Sequence, residues 1–197
     1  MLLLVPLVFA GKFGATRPAP PSPDGGACNH TLVMSAEGLS ACGKTATFVF
    51  PAKGVTDLLG PWSRTWRPDG EGVAVQKYVY DELGLTVREP SDGAGGSQPV
   101  MLELTCDETD VSGPFADKPF AGVVQVGDLR LGCSTKESEV LAMLKASGLP
   151  YSVTDWASYR IPLGEYEVAV GFPLEFQRPS PEADVPVSYI ELRPLKK

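Results

Sequence analysis

A single histidine, His30, stands in the 197 residues. That count excludes a catalytic histidine pair and a histidine-rich metal site. No G-x-S-x-G occurs, and His30 has no serine partner in a workable catalytic arrangement. Cys28 is close to it, but a Cys–His pair would need a third group to orient it. None of Cys28, Cys42, Cys106 and Cys133 falls in C-x-x-C, which argues against a zinc ribbon or a redox motif. No apolar run reaches the roughly 20 residues that span a bilayer. Excess positive charge is missing too. Lys and Arg number 17 against 24 Asp and Glu, and the net charge is −7. Nucleic acid and anionic membrane surfaces are disfavoured as partners, and a basic protein partner is favoured.

What is present fits a globular chain of short elements. Hydrophobic residues make up 43% and charged residues 21%, with 21 glycines and 19 prolines to supply turns. The start, MLLLVPLVFAG, resembles the apolar part of a signal peptide, with Val8 and Ala10 as small residues before a cleavage point. No positive charge precedes it; Lys12 follows it. The expectation is export to a periplasmic or envelope location, or a cytoplasmic one if this run is not a signal. No lipid anchor is expected at Cys28, which lies well beyond the run and lacks an aliphatic residue three positions back. In an oxidising compartment the cysteines are compatible with two disulfides, Cys28–Cys42 and Cys106–Cys133; four unpaired thiols are the alternative.

Residues 1–27 read as the signal-like segment followed by a Pro/Gly linker. Two modules are expected after it, at 28–112 and 113–197. In the first, strands are read at about 31–35, 39–50, 76–88 and 99–105, with "DELG" as a tight turn inside the third. Thr56 is placed as the cap of a turn or two of helix carrying Leu58 and Leu59 and ending at Gly60-Pro61. In the second, "VVQVGDLRL" reads as a hairpin around Gly127-Asp128. "STKESEVLAMLKASGLP" reads as the best helix. Ser134 and Glu137 form its capping box, Val140, Leu141 and Leu144 its apolar face, and Gly148 its left-handed close. Strands follow at about 157–162, 165–176 and 186–193. "YVYDELGLTV" parallels "YRIPLGEYEV", and "VMLELT" parallels "SYIELR", at a spacing of about 80–90 residues. The fold class expected is α+β: two similar modules, each a helix packed on an antiparallel sheet.

One stretch carries the pattern of a phosphate-binding loop. GLSACGKT, Gly38 to Thr45, matches G-x-x-x-x-G-K-[ST] at each fixed position. A working loop needs a helix to begin at Lys44-Thr45, so that its N-terminus and amides hold the phosphates. Here Phe48-Val49-Phe50 favours a strand, and Pro51 would break a helix within two turns. The expectation is a β-hairpin with Gly43 as a bend. No nucleotide, cofactor or metal is called for.

The candidate binding residues are aromatic and acidic. Trp62, Trp66, Tyr80, Trp156 and Tyr159 follow the two helices, and Asp81 and Glu82 lie beside Tyr80. Tyr and Trp bring large, rigid area with one polar end, which suits protein recognition. Arg64 and Arg67 are placed to stack on the tryptophans. Glu103 and Glu191 occupy matching positions in the repeated Leu-Glu-Leu and Ile-Glu-Leu. Alternating outward strand positions explain them better than acid–base chemistry does.

"LRLGCSTKESEVLAMLKASGLPY" resembles the glycine–hydroxyl–acid–helix–Gly–Pro signature of small bacterial helix-on-sheet modules, and "TDLLGPWSR" is similar to a shortened version. The β-lactamase inhibitory proteins and the outer-membrane assembly lipoproteins of the small-protein-A type carry such modules. "YVYDELGLTV" is similar to the same position in tandem-module proteins found near bacterial secretion and toxin genes. The resemblance spans roughly residues 38–193 and carries over no catalytic residue. The chain departs from the inhibitors in its short first helix and its cysteine positions. The resemblance implies a non-enzymatic protein-binding module, an inhibitor or immunity-type protein; the alternative is a structural periplasmic or envelope-associated protein.

Overall fold

The computed structural model describes residues 31–41, 43–46, 52–67, 75–90, 101–106, 114–154, 157–180 and 182–195. It is an α+β molecule dominated by strands, which form two sheets. The first half supplies β1 (Thr31–Ser35), β2 (Gly38–Ala41), β3 (Lys44–Ala46), α1 (Ala52–Leu59), β4 (Arg64–Trp66), β5 (Val75–Tyr80), β6 (Leu85–Pro90) and β7 (Met101–Thr105). The second supplies β8 (Val123–Val126), β9 (Leu129–Leu131), α2 (Glu137–Ser147), β10 (Ser152–Thr154), β11 (Ser158–Leu163), β12 (Tyr166–Gly171) and β13 (Tyr189–Pro194).

Neither sheet belongs to one half of the chain. The smaller runs β3-β2-β1-β8-β9 and the larger β10-β11-β12-β13-β7-β6-β5-β4. Both expected spans, 28–112 and 113–197, therefore place strands in both sheets. β1 and β8 join in parallel, Leu32 opposite Val124 and Met34 opposite Val126, and β7 joins β13 antiparallel. Along each strand successive side chains point to opposite faces. Leu32, Met34, Leu39, Val124, Val126, Leu129 and Leu131 turn inward from the smaller sheet. Leu85, Val87, Leu102, Leu104, Ile161, Val168, Val170, Ile190 and Leu192 do so from the larger, and Val55, Leu58, Val140 and Leu144 of the helices complete one core.

Several local readings match. Gly38 to Thr45 is a hairpin: Gly43 has φ +74°, Ala41 pairs with Lys44, and the Ser40 and Thr45 hydroxyls lie 2.8 Å apart. "DELG" is a 3-10 turn, Asp81–Leu83, closed by Gly84 at φ 67° between β5 and β6. Gly148 closes α2 at φ 66°.

Others are corrected. Thr56 lies inside α1, which begins at Ala52, so it does not cap that helix. Helix α2 begins at Glu137, and its capping carboxylate is Glu139, which accepts from the Lys136 N–H at 2.8 Å; the box expected from Ser134 and Glu137 does not form. The cause is tertiary. Val187 N–H donates to the Thr135 carbonyl and Glu137 N–H to the Val185 carbonyl, which keeps residues 135–136 extended. Asp184 then accepts from both the Ser138 N–H, at 3.0 Å, and the Ser138 hydroxyl, at 2.8 Å. Those two bonds hold its carboxyl below the usual range. Strands β4 and β10, both at the rims of the larger sheet, had no counterpart in the sequence reading.

Cys106, just after β7, is bonded to Cys133, just after β9, and so ties the larger sheet to the smaller. Cys28 and Cys42 lie outside the described residues. Closing this 27-residue separation removes chain entropy worth about 3.5 kcal/mol. Replacing both Cys106 and Cys133 by alanine is expected to lower the unfolding free energy by about 2–4 kcal/mol, read from the urea midpoint. Gly84→Ala is expected to be damaging for a separate reason. Its left-handed φ costs a side chain about 1–2 kcal/mol, and the added Cβ would sit 2.3 Å from the Phe120 backbone nitrogen. A Gly84→Ala protein that melts like the parent would contradict this packing.

Candidate functional site

The face of the larger sheet that turns away from the core carries a belt of charge. Cross-strand partners point to the same side, so the register assigns its members. Lys77 pairs with Arg88, Thr86 with Glu103, Glu103 with Glu191, Glu191 with Ala169, Ala169 with Arg160, and Glu167 with Arg193. The residues between them on each strand, such as Val87, Leu102, Leu192 and Val168, are core.

At the centre, on β7 and β13, two glutamates face one another. Their side chains are each only 15% exposed. Directly opposed like charges destabilise a strand pair, and cations flank this one. Glu103 Oε2 lies 2.8 Å from Arg88, in an alignment that makes no hydrogen bond, and 3.8 Å from Lys77, too far for one. Glu191 lies 3.6 Å from Arg193, whose Nε is already 2.6 Å from Glu167. Burial first, then Glu103 opposite and Glu167 beyond, push the Glu191 carboxyl up, while Arg193 and Arg88 pull it down; the net direction is upward.

Among the described residues, five buried side-chain polar atoms on this face have no hydrogen-bond partner: Thr86 Oγ1, Arg88 Nε, Glu103 Oε2, Thr105 Oγ1 and Arg160 Nε. Buried polar groups are paired in the great majority of cases, so their concentration here sets the face apart. Its aromatic members are Tyr189, Trp66 and Phe115. A Cβ on Gly171 would strike the Tyr189 ring at 2.0 Å, so that ring lies over the glycine. The Lys77 ammonium lies 4.2 Å from the Phe115 ring centroid and 5.7 Å from that of Trp66.

The residues singled out from sequence disperse. Trp66 joins the charged face, on β4 opposite Lys77. Trp62 packs against the core with its ring 4.7 Å from Tyr78. Tyr80 and Tyr159 are buried, because both occupy inward strand positions, and Tyr159 meets Phe172 edge to face. Burial raises both phenols, so they stay neutral. Asp81 accepts Arg64 Nε and Nη2, both at 3.1 Å, and Arg64 also donates to Asp117 and to the Phe115 carbonyl. This fork replaces the stacking expected of Arg64, because charge-assisted forked bonds outweigh a ring contact. Arg67 instead donates to the Gln76 side chain. Glu82 pairs with Lys118 and is 79% exposed. Trp156 lies outside the described residues. Sequence reasoning passed over Lys77, Arg88, Arg160, Glu167, Tyr189 and Arg193. The signal was clearest on β13, where Glu191 and Arg193 alternate with buried Ile190 and Leu192; β5, β6, β11 and β12 each add a single outward charge, Lys77, Arg88, Arg160 and Glu167.

No helix among the described residues is long and apolar enough to cross a membrane, and none of their Asp, Glu, Cys and His side chains group as a metal site.

Glu191 gives this site a stability signature. Its folded pKa lies above the unfolded value near 4.5, so between the two the native state binds more protons. Stability contributed by this group therefore rises as pH falls through that window and is lost as pH rises. Glu191→Gln is expected to be more stable than the parent at neutral pH and to lack that rise. Paired urea titrations from pH 4.5 to 8 would show it; identical pH profiles would contradict the assignment.

Comparison with protein-family models, with curated proteins and with solved structures finds no match to this chain.

Proposed function

We propose that this chain is an exported, non-enzymatic protein-binding module that uses the outward face of its larger sheet to dock a basic protein, in an inhibitor or immunity-type role. The observation that carries the reading is the Glu103–Glu191 pair, held half-buried at the centre of a face with unpartnered polar groups and aromatic residues around it. The face's own Lys77, Arg88, Arg160 and Arg193 balance its glutamates, so the attraction for a basic partner rests on that central pair and, at longer range, on the net charge of −7, which bears on association rate and partner choice. Export is supported by the Cys106–Cys133 bond, since disulfides persist mainly in oxidising compartments. A duplicated origin is supported by the strand order of the larger sheet. It takes four strands from each half in mirrored sequence, with Leu102 opposite Leu192 and Leu104 opposite Ile190 about the glutamate pair.

The test is affinity capture from the source cell, identification of the captured protein, and reconstitution from the two purified components. The expected outcome is one basic partner, inhibited on binding, with Kd rising at least about tenfold between low and high salt. Recovery of envelope assembly components instead would replace this reading with a structural one.

A further inference from the structure

Resting on the docking reading above, we infer that Glu103 and Glu191 together form the anchoring site for one basic side chain, an arginine or lysine, presented by the protein partner. The two carboxylates are directly opposed in register, and the chain's own cations serve them unequally. Arg88 and Lys77 both approach the same oxygen of Glu103. Among the described residues, Glu191 has only the 3.6 Å approach of Arg193, a guanidinium already committed to Glu167. A half-buried carboxylate without a close donor is unfavourable in its charged form, and an incoming guanidinium or ammonium removes that penalty.

A second feature points to the same ligand chemistry. Thr86 is fully buried, sits beside Glu103 on the same face, and its hydroxyl has no hydrogen-bond partner. The Thr105 hydroxyl, two residues along β7, is also buried and unpartnered. Two carboxylates and two hydroxyls therefore lie in adjacent rows of one face and offer acceptors. A guanidinium brings five N–H donors and no acceptor. The belt as a whole is not acidic, since Lys77, Arg88, Arg160 and Arg193 face Glu103, Glu167 and Glu191. The attraction is therefore local to Glu191, and the long-range pull comes from the net charge of the chain.

Binding at this point is coupled to a proton. In the free protein burial first, then Glu103 and Glu167, favour protonation of Glu191, and Arg193 and Arg88 oppose it. A cation seated between the glutamates favours the charged form, so the proton leaves as the cation arrives. Affinity then rises with pH below the Glu191 midpoint, by up to about tenfold per pH unit, and levels off above it.

The probe is a hexa-arginine peptide, with the neutral hexa-citrulline peptide as its control. Both are titrated into the protein with carboxyl carbons isotopically labelled for NMR. The expected result is a saturable shift of the Glu103 and Glu191 carboxyl signals and of the Thr86 and Thr105 amides, with no response to citrulline. Glu191→Gln and Glu103→Gln should each weaken binding at least about tenfold, and Glu37→Gln, in the exposed β1–β2 turn, should leave it unchanged. The pH dependence of hexa-arginine binding to the parent protein gives a readout that needs no variant. Saturable binding elsewhere, or binding indifferent to both glutamines and to pH, would overturn this anchor while leaving the basic-partner reading intact. No saturable binding of hexa-arginine anywhere would overturn both.

Discussion

The pairing of β7 with β13 is the constraint on which this molecule turns. It joins strands roughly 90 residues apart and makes one eight-stranded sheet from two sets of four. Without it each set would end in an open edge of unpaired backbone groups, a template for unwanted pairing. The same pairing decides which side chains meet. Leu102, Leu104, Ile190 and Leu192 go inward and close the core, and the residues between them must therefore meet on the other face. Because both segments carry glutamate between their apolar residues, glutamate faces glutamate. The apolar seam and the charged pair are two consequences of one register, and neither is adjustable without the other.

The other long-range ties reinforce that seam. β1 and β8 lie parallel in the smaller sheet, so the halves are joined on both layers. The Cys106–Cys133 bond leaves the end of β7 and arrives just after β9, which fixes one layer to the other next to the seam. Cys106 N–H also donates to the Ser188 carbonyl, one residue before β13, so the disulfide anchors at the point where the two central strands separate. On the far side of the 3-10 turn, Arg64 holds Asp81, Asp117 and the Phe115 carbonyl together, and that network draws Phe115 over Lys77 at the edge of the charged face. The belt is held in place by contacts that come from both layers.

Local features were legible in the sequence and non-local ones were not. Gly43, Gly84 and Gly148 declare their turns because few other residues adopt φ values near +70°. Most strands and the apolar face of α2 follow from periodicity. The division of strands between the two sheets does not, because nothing in β1 or β7 taken alone states which distant strand it will meet. The start of α2 is not legible for the same reason: residues 185–187 hold Thr135 and Lys136 extended, and Asp184, 46 residues away, accepts the Ser138 N–H of its first turn. At the site, aromatic residues were picked by type. Strand parity then buried Tyr80 and Tyr159 and left Trp66 outward. Glu103 and Glu191 were visible as a repeated motif. Their direct opposition was not, since it depends on the antiparallel register between the halves.

That opposition is costly in a way the fold has no structural need for. A threonine pair or an apolar pair at the same positions would satisfy the sheet without repulsion, and well-packed apolar groups often match or exceed the stability of buried ionic ones. Instead the centre of the larger sheet holds two carboxylates, one of them short of positive charge, beside buried hydroxyls with no partner of their own. Proteins carry unfavourable local arrangements of this kind chiefly where recognition or chemistry uses them. The belt's own arginines and lysine stand to either side and restrain the pair without neutralising it evenly. In the proposed reading, a charge supplied from outside would complete the arrangement with donors the chain does not provide, and it would do so on the seam where the two halves of the larger sheet meet.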